Sequence, residues 1–191
     1  PAKRIGVIYR ENKYGDELMQ YLKLRTIPYY SKRNLNILQV PLAQKIILLF
    51  KYLAAEHDIP YSGDEMLFEI LHFDWFTIPS IEIAKLSIEA SNKKYDDSTI
   101  SLRRLLYEKA NTPVKDLFSQ GLHPGLKTAS TVLEQLIGDV PNNTLQLLFE
   151  TIIRKAGALN RIMSSPEKIW LLQVITTLFD FIKAETARNP Y

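Results

Sequence analysis

The sequence predicts a mainly α protein: a helical domain preceded by a short N-terminal βαβ piece. Three observations carry that expectation. From about residue 38 almost to the end, apolar residues recur at three and four, the period of an amphipathic helix. Before that point a short apolar run, a helical stretch and a second short run follow one another. No internal repeat and no low-complexity segment interrupts the helical pattern. The expected division is 1–37 for the βαβ piece and 38–191 for the helical domain.

Ile5, Val7 and Tyr9 alternate with Gly6, Ile8 and Arg10. Such a mostly apolar run reads as a strand buried on both faces, as in a parallel sheet. Leu18, Tyr21, Leu22 and Arg25 then recur with helical spacing, Pro28 ends the helix, and Tyr29-Tyr30-Ser31 reads as a second strand. The two strands of a βαβ unit are parallel, and two strands alone do not make a stable sheet. The piece therefore calls for neighbouring strands that this chain does not supply.

Pro41 suits the first position of a helix carrying Leu42, Ile46, Leu49, Phe50 and Leu53. Ser62-Gly-Asp-Glu65 reads as a capping box for a helix with Met66, Leu67, Ile70 and Leu71. Pro79 and Ser80 start another, with Ile83, Leu86 and Ala90 inward. Asn92 to Ser98 is polar and reads as a loop, Ile100 to Lys109 as a helix, and Gly121-Leu-His-Pro-Gly125 as a turn. Helices are expected over 126–137 and 142–156, the second closed by Gly157. Ser165-Pro166-Glu167 starts the last helix. Its stripe of Leu171, Val174, Ile175, Leu178, Phe179 and Ile182 should reach about Arg188, before Asn189-Pro190.

The net charge of +3 is unevenly spread. Residues 1–35 hold eight Lys or Arg against three acids, a balance of +5, and the remainder sixteen against eighteen, a balance of −2. Attraction for phosphate is thus concentrated at the front, although a solvated basic edge has the same composition. The absence of cysteine excludes disulfides and thiol chemistry and favours a reducing compartment. The longest apolar run, Ile46 to Phe50, is bounded by Lys45 and Lys51, and PAKRIGV lacks the apolar core of a signal peptide. A soluble, cytoplasmic protein is expected.

No catalytic constellation converges. His57, His72 and His123 are scattered, without HExxH spacing. His72-Phe-Asp74 brings an imidazole near a carboxylate, a pairing more common in turns than at metals. GxSxG, SxxK, GxxxxGK[ST] and GxGxxG are absent, and Asp96-Asp97 sits in a polar stretch. The best candidate is Tyr9-Arg10, placed where the first strand should stop. Ligands of parallel α/β sheets collect beyond the carboxyl ends of strands. A tyrosine there can stack on a base, and an arginine can fork onto phosphate.

The stretch IGVIYRENKYGDELMQYLKLRTIPYY, with Val7-Ile8-Tyr9-Arg10, Asn12 and Ile27-Pro28-Tyr29, resembles the motif IV region of UvrD/Rep/PcrA-type superfamily 1 DNA helicases. LFDFIKAETARNPY also looks like a late helix of their subdomain 2B. The resemblance implies that residues 1–37 belong to the second RecA-like core domain (subdomain 2A) and that 38–191 form a 2B-like helical accessory domain. It implies that Tyr9 packs on the adenine of ATP and Arg10 reaches the γ-phosphate. ATP and Mg²⁺ would be bound by the full-length motor, together with its other core domains, and the chain alone would be inactive. DNA would be the partner, with Lys32, Arg33, Arg103 and Arg104 as candidate phosphate contacts, each of which also suits a solvated surface. Two departures are plain. The family's GG-x-x-F segment is replaced by Ser31 to Pro41, closer to RecB/AddA-like variants, and the family's Gly-Ile-Gly turn by Thr77-Ile-Pro-Ser-Ile-Glu82. The rival expectation is a free-standing helical interaction module, in which Trp75-Phe76 and Phe179/Phe181 line a groove for a partner helix. A small-molecule enzyme is the third reading.

Overall fold

The structure is a computed structural model, and it describes residues 5–29, 36–93, 100–112 and 121–188. Every regular element among those residues is helical. The helices are α1 (Asn12–Leu24), α2 (Pro41–Asp58), α3 (Asp64–Leu71), α4 (Ser80–Lys93), α5 (Leu102–Asn111), α6 (Pro124–Asp139), α7 (Leu145–Lys155), α8 (Ala158–Met163) and α9 (Lys168–Arg188). The chain divides into two units, Pro1–Leu35 and Asn36–Tyr191. None of the helices is long and apolar enough to cross a membrane.

The first unit departs from expectation. Residues 5–9 were expected as a strand buried on both faces, but they form no regular element, and Ile5 and Ile8 are 88% and 100% exposed. Residues 27–29 likewise make no strand, and Tyr30 to Leu35, including Lys32 and Arg33, lie outside the described residues. The reason is the one the pattern itself raised: an apolar run becomes a strand only when a ladder takes up its backbone groups. The helix between the runs does form, as α1, with its end closed by the Arg25 and Thr26 amides turning back to Tyr21 and Lys23.

In the second unit α2 is the shared spine. Ile46, Leu49, Tyr52 and Leu53 are all 0–1% exposed. The first half of α2 packs Ala43 and Ile46 against Phe149, Val174 and Leu178 of α7 and α9. The second half packs Leu49, Tyr52 and Leu53 into a larger core with α3, α4, α5, α6 and α7. Phe50 borders both cores, and its ring stacks on Phe149 at 6.4 Å. Ile83, Leu86 and Ala90 are buried, as the helical spacing required, and so are Val174, Leu178 and Ile182 of the last stripe.

Helix ends follow local chemistry, with two corrections. Pro41 occupies the first position of α2, and Gly157, at φ 92°, follows α7 in the left-handed region. The expected capping box at Ser62 does not form. Helix α3 starts at Asp64 with Gly63 before it, and the Ser62 hydroxyl instead donates to the Ala55 carbonyl. The turn expected at 121–125 is shorter than its composition suggests. Pro124 opens α6, because His123 Nδ1 accepts the Gly125 amide at 3.1 Å and Pro is well suited to that first position. Helix α4 also extends through Asn92 to Lys93, into the stretch read as a loop. The rest of that stretch, with Asp96-Asp97, lies outside the described residues.

Thr77, in the segment that leads into α4, has φ 51°. A β-branched residue in the left-handed region is strained. The turn is held by its neighbours: Phe76 is buried, and its carbonyl lies so close to Gly125 that a Cβ there would come within 2.6 Å of the oxygen. Thr77→Gly should raise unfolding free energy by about 1 kcal/mol, read as a higher denaturant midpoint at unchanged slope; a lower midpoint would show that the Thr77 hydroxyl's bond to the Phe76 carbonyl outweighs the strain.

Candidate functional site

Three polar constellations stand out among the described residues. The first is the Tyr9-Arg10 pair of the N-terminal unit. Arg10 is exposed and has no ion pair among the described residues. Tyr9 is 36% exposed, and its phenol end lies on Gly15. On the same unit the Arg25 guanidinium sits 4.7 Å above the Tyr21 ring, so that basic residue is engaged with an aromatic face.

The second constellation centres on Arg103 of α5. Its Nε and Nη2 donate to the two oxygens of Glu134 at 2.7 and 2.6 Å, a bidentate fork, and its Nη1 donates to Glu56 at 2.6 Å. The Arg103 side chain is only 13% exposed, and Glu56 is buried. Glu56 also accepts the backbone amides of Tyr61, at 2.7 Å, and Gly63, at 2.9 Å. The Tyr61 ring lies 5.1 Å beneath the guanidinium, although Tyr61 itself has φ 68°. Gly63 is required by closeness: a Cβ there would lie 2.7 Å from the Tyr52 ring and 2.9 Å from Glu56 Oε1. Asp64 completes the arrangement by accepting the amides of Leu102 and Arg103 at the start of α5.

Electrostatics fix the charge states. Hydrogen bonds to Glu134, opposed by burial and reinforced by Glu56, raise the pKa of Arg103 above its ordinary value. Burial, with the charge of Glu56 next, raises the Tyr52 phenol far above the ordinary tyrosine range. Its hydroxyl is buried without a hydrogen-bond partner. The Arg103–Glu56–Glu134 cluster is internally paired. It holds three helices together and spends its donors on its own acceptors.

The third constellation joins the turn after α3 to α2 and α8. Asp74 accepts from Lys45 at 2.6 Å and from Arg161. Lys45 Nζ also lies 5.3 Å from the Trp75 ring centroid and 5.5 Å from that of Phe73. Alongside is a cleft of about 180 Å³ between Pro41, Leu42, Ile162 and Leu171. Burial pushes the Asp74 carboxyl up, but the hydrogen bonds from Lys45 and Arg161 outweigh it and hold the group below its ordinary value.

The candidates read from the sequence thus fare differently. Tyr9 and Arg10 lie together on the N-terminal unit, and Lys32 and Arg33 lie outside the described residues. Arg103 is turned inward between two glutamates rather than presented to a phosphate. Arg104 is exposed and paired with Glu108 one turn on, at 2.9 Å. The suspected His72–Asp74 pairing does not form: the His72 ring contacts the Phe68 carbonyl, while Asp74 turns to the two cations. No group of His, Cys, Asp or Glu able to hold a metal occurs among the described residues. Phe76 is buried, Phe179 packs on Phe149, Trp75 lines the cleft beside Asp74, and Phe181 is exposed. Sequence reading missed Glu56, Glu134, Lys45 and Arg161, whose partners lie 29 to 87 residues away.

No family model matches the chain, and no curated protein or solved structure matches it.

Arg103→Ala should destabilise the helical unit by about 3–5 kcal/mol, since it strands a buried carboxylate, as measured by denaturant unfolding. Arg103→Lys should recover only part of this, because an ammonium cannot reproduce the bidentate fork; full recovery would refute that account. Asp74 supplies a pH dependence. Its folded pKa is depressed, so the clamp stabilises above the ordinary carboxylate value and fades as pH falls through the folded one. Wild type should exceed Asp74→Asn by under about 1 kcal/mol at pH 7, because the groups are partly exposed. That margin should shrink as the pH falls below the ordinary carboxylate range and through the lower folded value; a margin independent of pH would overturn the assignment.

Proposed function

We propose that this chain is part of an ATP-dependent DNA helicase of superfamily 1, related to UvrD, Rep and PcrA and to helicase–nucleases, acting in DNA repair or recombination. The observation that carries this reading is the run Val7-Ile8-Tyr9-Arg10, Asn12, and then Ile27-Pro28-Tyr29. Three structural features support it. Helix α1 lies between the two apolar runs, the N-terminal residues form a unit of their own, and everything regular after them is helical.

In this reading residues 1–37 are a piece of the second RecA-like domain. The exposed apolar residues Ile5 and Ile8 are then covered by the neighbouring strands of the motor's sheet. Tyr9 stacks on the adenine of ATP, and Arg10 stabilises the charge that develops at the γ-phosphate. Mg²⁺ and the phosphate-cradling loop belong to the rest of the polypeptide, so the chain alone does not hydrolyse ATP. The helical part is an accessory domain that contacts duplex DNA or regulates the motor. The chain's phosphate contacts are drawn from Lys32 and Arg33 of the first piece and Arg104 of the helical part. Arg103 is left out because Glu56 and Glu134 already hold it.

The second reading, a free-standing interaction module, draws on the exposed Ile169 and Phe181 of α9. Arg10→Ala in the full-length protein separates the two. The helicase reading expects a fall in DNA-stimulated ATP hydrolysis of about 10²-fold or more, with an unchanged circular dichroism spectrum and melting temperature. An unchanged rate would sink the nucleotide role of Arg10 and favour the interaction module.

A further inference from the structure

We infer that Gly15 is a positioning residue: it seats the phenol of Tyr9 on the first turn of α1 and so fixes the ring as a platform for a planar base. The inference rests on the nucleotide reading of Tyr9 and adds a residue to it.

The local physics is specific. Glu11 is the N-cap of α1 but makes no side-chain cap, and no acidic residue lies in the first turn. The helix start thus lacks its usual supports. Gly15 is the fourth residue of α1, and it is the one buried residue among those of the helix whose side-chain environment is described. It is buried by Tyr9. A Cβ at Gly15 would collide with the phenol, lying 2.6 Å from the hydroxyl oxygen and 2.7 Å from Cε2. Glycine inside a helix costs about 1 kcal/mol relative to alanine, so a residue that favours the helix less is present where the ring needs room. Tyr9 stands two residues before the N-cap, and its contact resembles a hydrophobic staple made directly onto the helix backbone. Seated in this way, Tyr9 stays 36% exposed, beside an exposed Arg10. A stacking platform works only if its ring is held before the base arrives.

Gly15→Ala separates positioning from folding. The added methyl group improves helix propensity and meets only the far end of a side chain, so α1 should form at least as well, while the ring is displaced. In the 191-residue chain, nuclear Overhauser contacts between the Tyr9 ring and the Gly15 α protons should be present. They should vanish in Tyr9→Ala, and the Tyr9 ring resonances should move in Gly15→Ala while helix content is kept. In the full-length protein, Gly15→Ala should raise KM for ATP roughly three- to tenfold, the range of one aromatic stacking contact, with kcat unchanged. Missing ring contacts would overturn the inference whatever ATP does. Contacts present, with KM raised by Tyr9→Ala but not by Gly15→Ala, would overturn the positioning role and leave the nucleotide reading standing. Contacts present, with KM unchanged in both variants, would overturn the nucleotide reading of Tyr9 and the platform with it.

Discussion

The helical unit depends on one guanidinium. Arg103 bridges Glu56 of α2 and Glu134 of α6 from its place on α5. Without it Glu56 would be a charge at 2% exposure held by two backbone amides and no cation, and burying an unpaired charge is costly. The same carboxylate closes the turn between α2 and α3 by taking the Tyr61 and Gly63 amides, and Asp64 of α3 returns the favour by capping α5. Buried ion pairs are weak arguments for net stability. This one acts chiefly on geometry: it sets the register of three helices and holds Tyr61 in a backbone conformation that a bulky residue rarely adopts.

Around that clasp the packing is organised by α2. An eighteen-residue helix with apolar residues on more than one face can serve two cores, and the division falls near Phe50. The Lys45–Asp74–Arg161 bridge performs a smaller version of the same task at the other end of α2, fixing the 73–76 turn against α8. The strained Thr77 follows directly. It stands between that fixed turn and the start of α4, so its left-handed backbone is imposed from both sides.

The two units handle their cations in contrasting ways. In the helical unit Lys45, Arg103, Arg104 and Arg161 are matched to acids of the same unit. In the N-terminal unit, where the balance of charge is +5, Arg10 keeps its guanidinium open to solvent beside a seated tyrosine. An exposed arginine next to an aromatic ring suits a base and its phosphates.

The sequence by itself determined most of the helices, though not the short α8, which no expectation covered. Periodicity, Pro41 and Gly157 located α2 and the end of α7, and the inward residues of α4 and α9 could be read from spacing alone, because these signals act within one or two turns. Tertiary structure decided the rest. Whether residues 5–9 become a strand depends on a ladder partner, which no local pattern can supply. Ser62 makes no cap for α3, because its hydroxyl is taken by the Ala55 carbonyl of another helix. Arg103 and Arg104 are neighbours with the same charge, yet one is buried in a clasp and the other lies on the surface. Their fates differ because the carboxylates that claim Arg103 lie 47 and 31 residues away in the chain, and only folding brings them within reach.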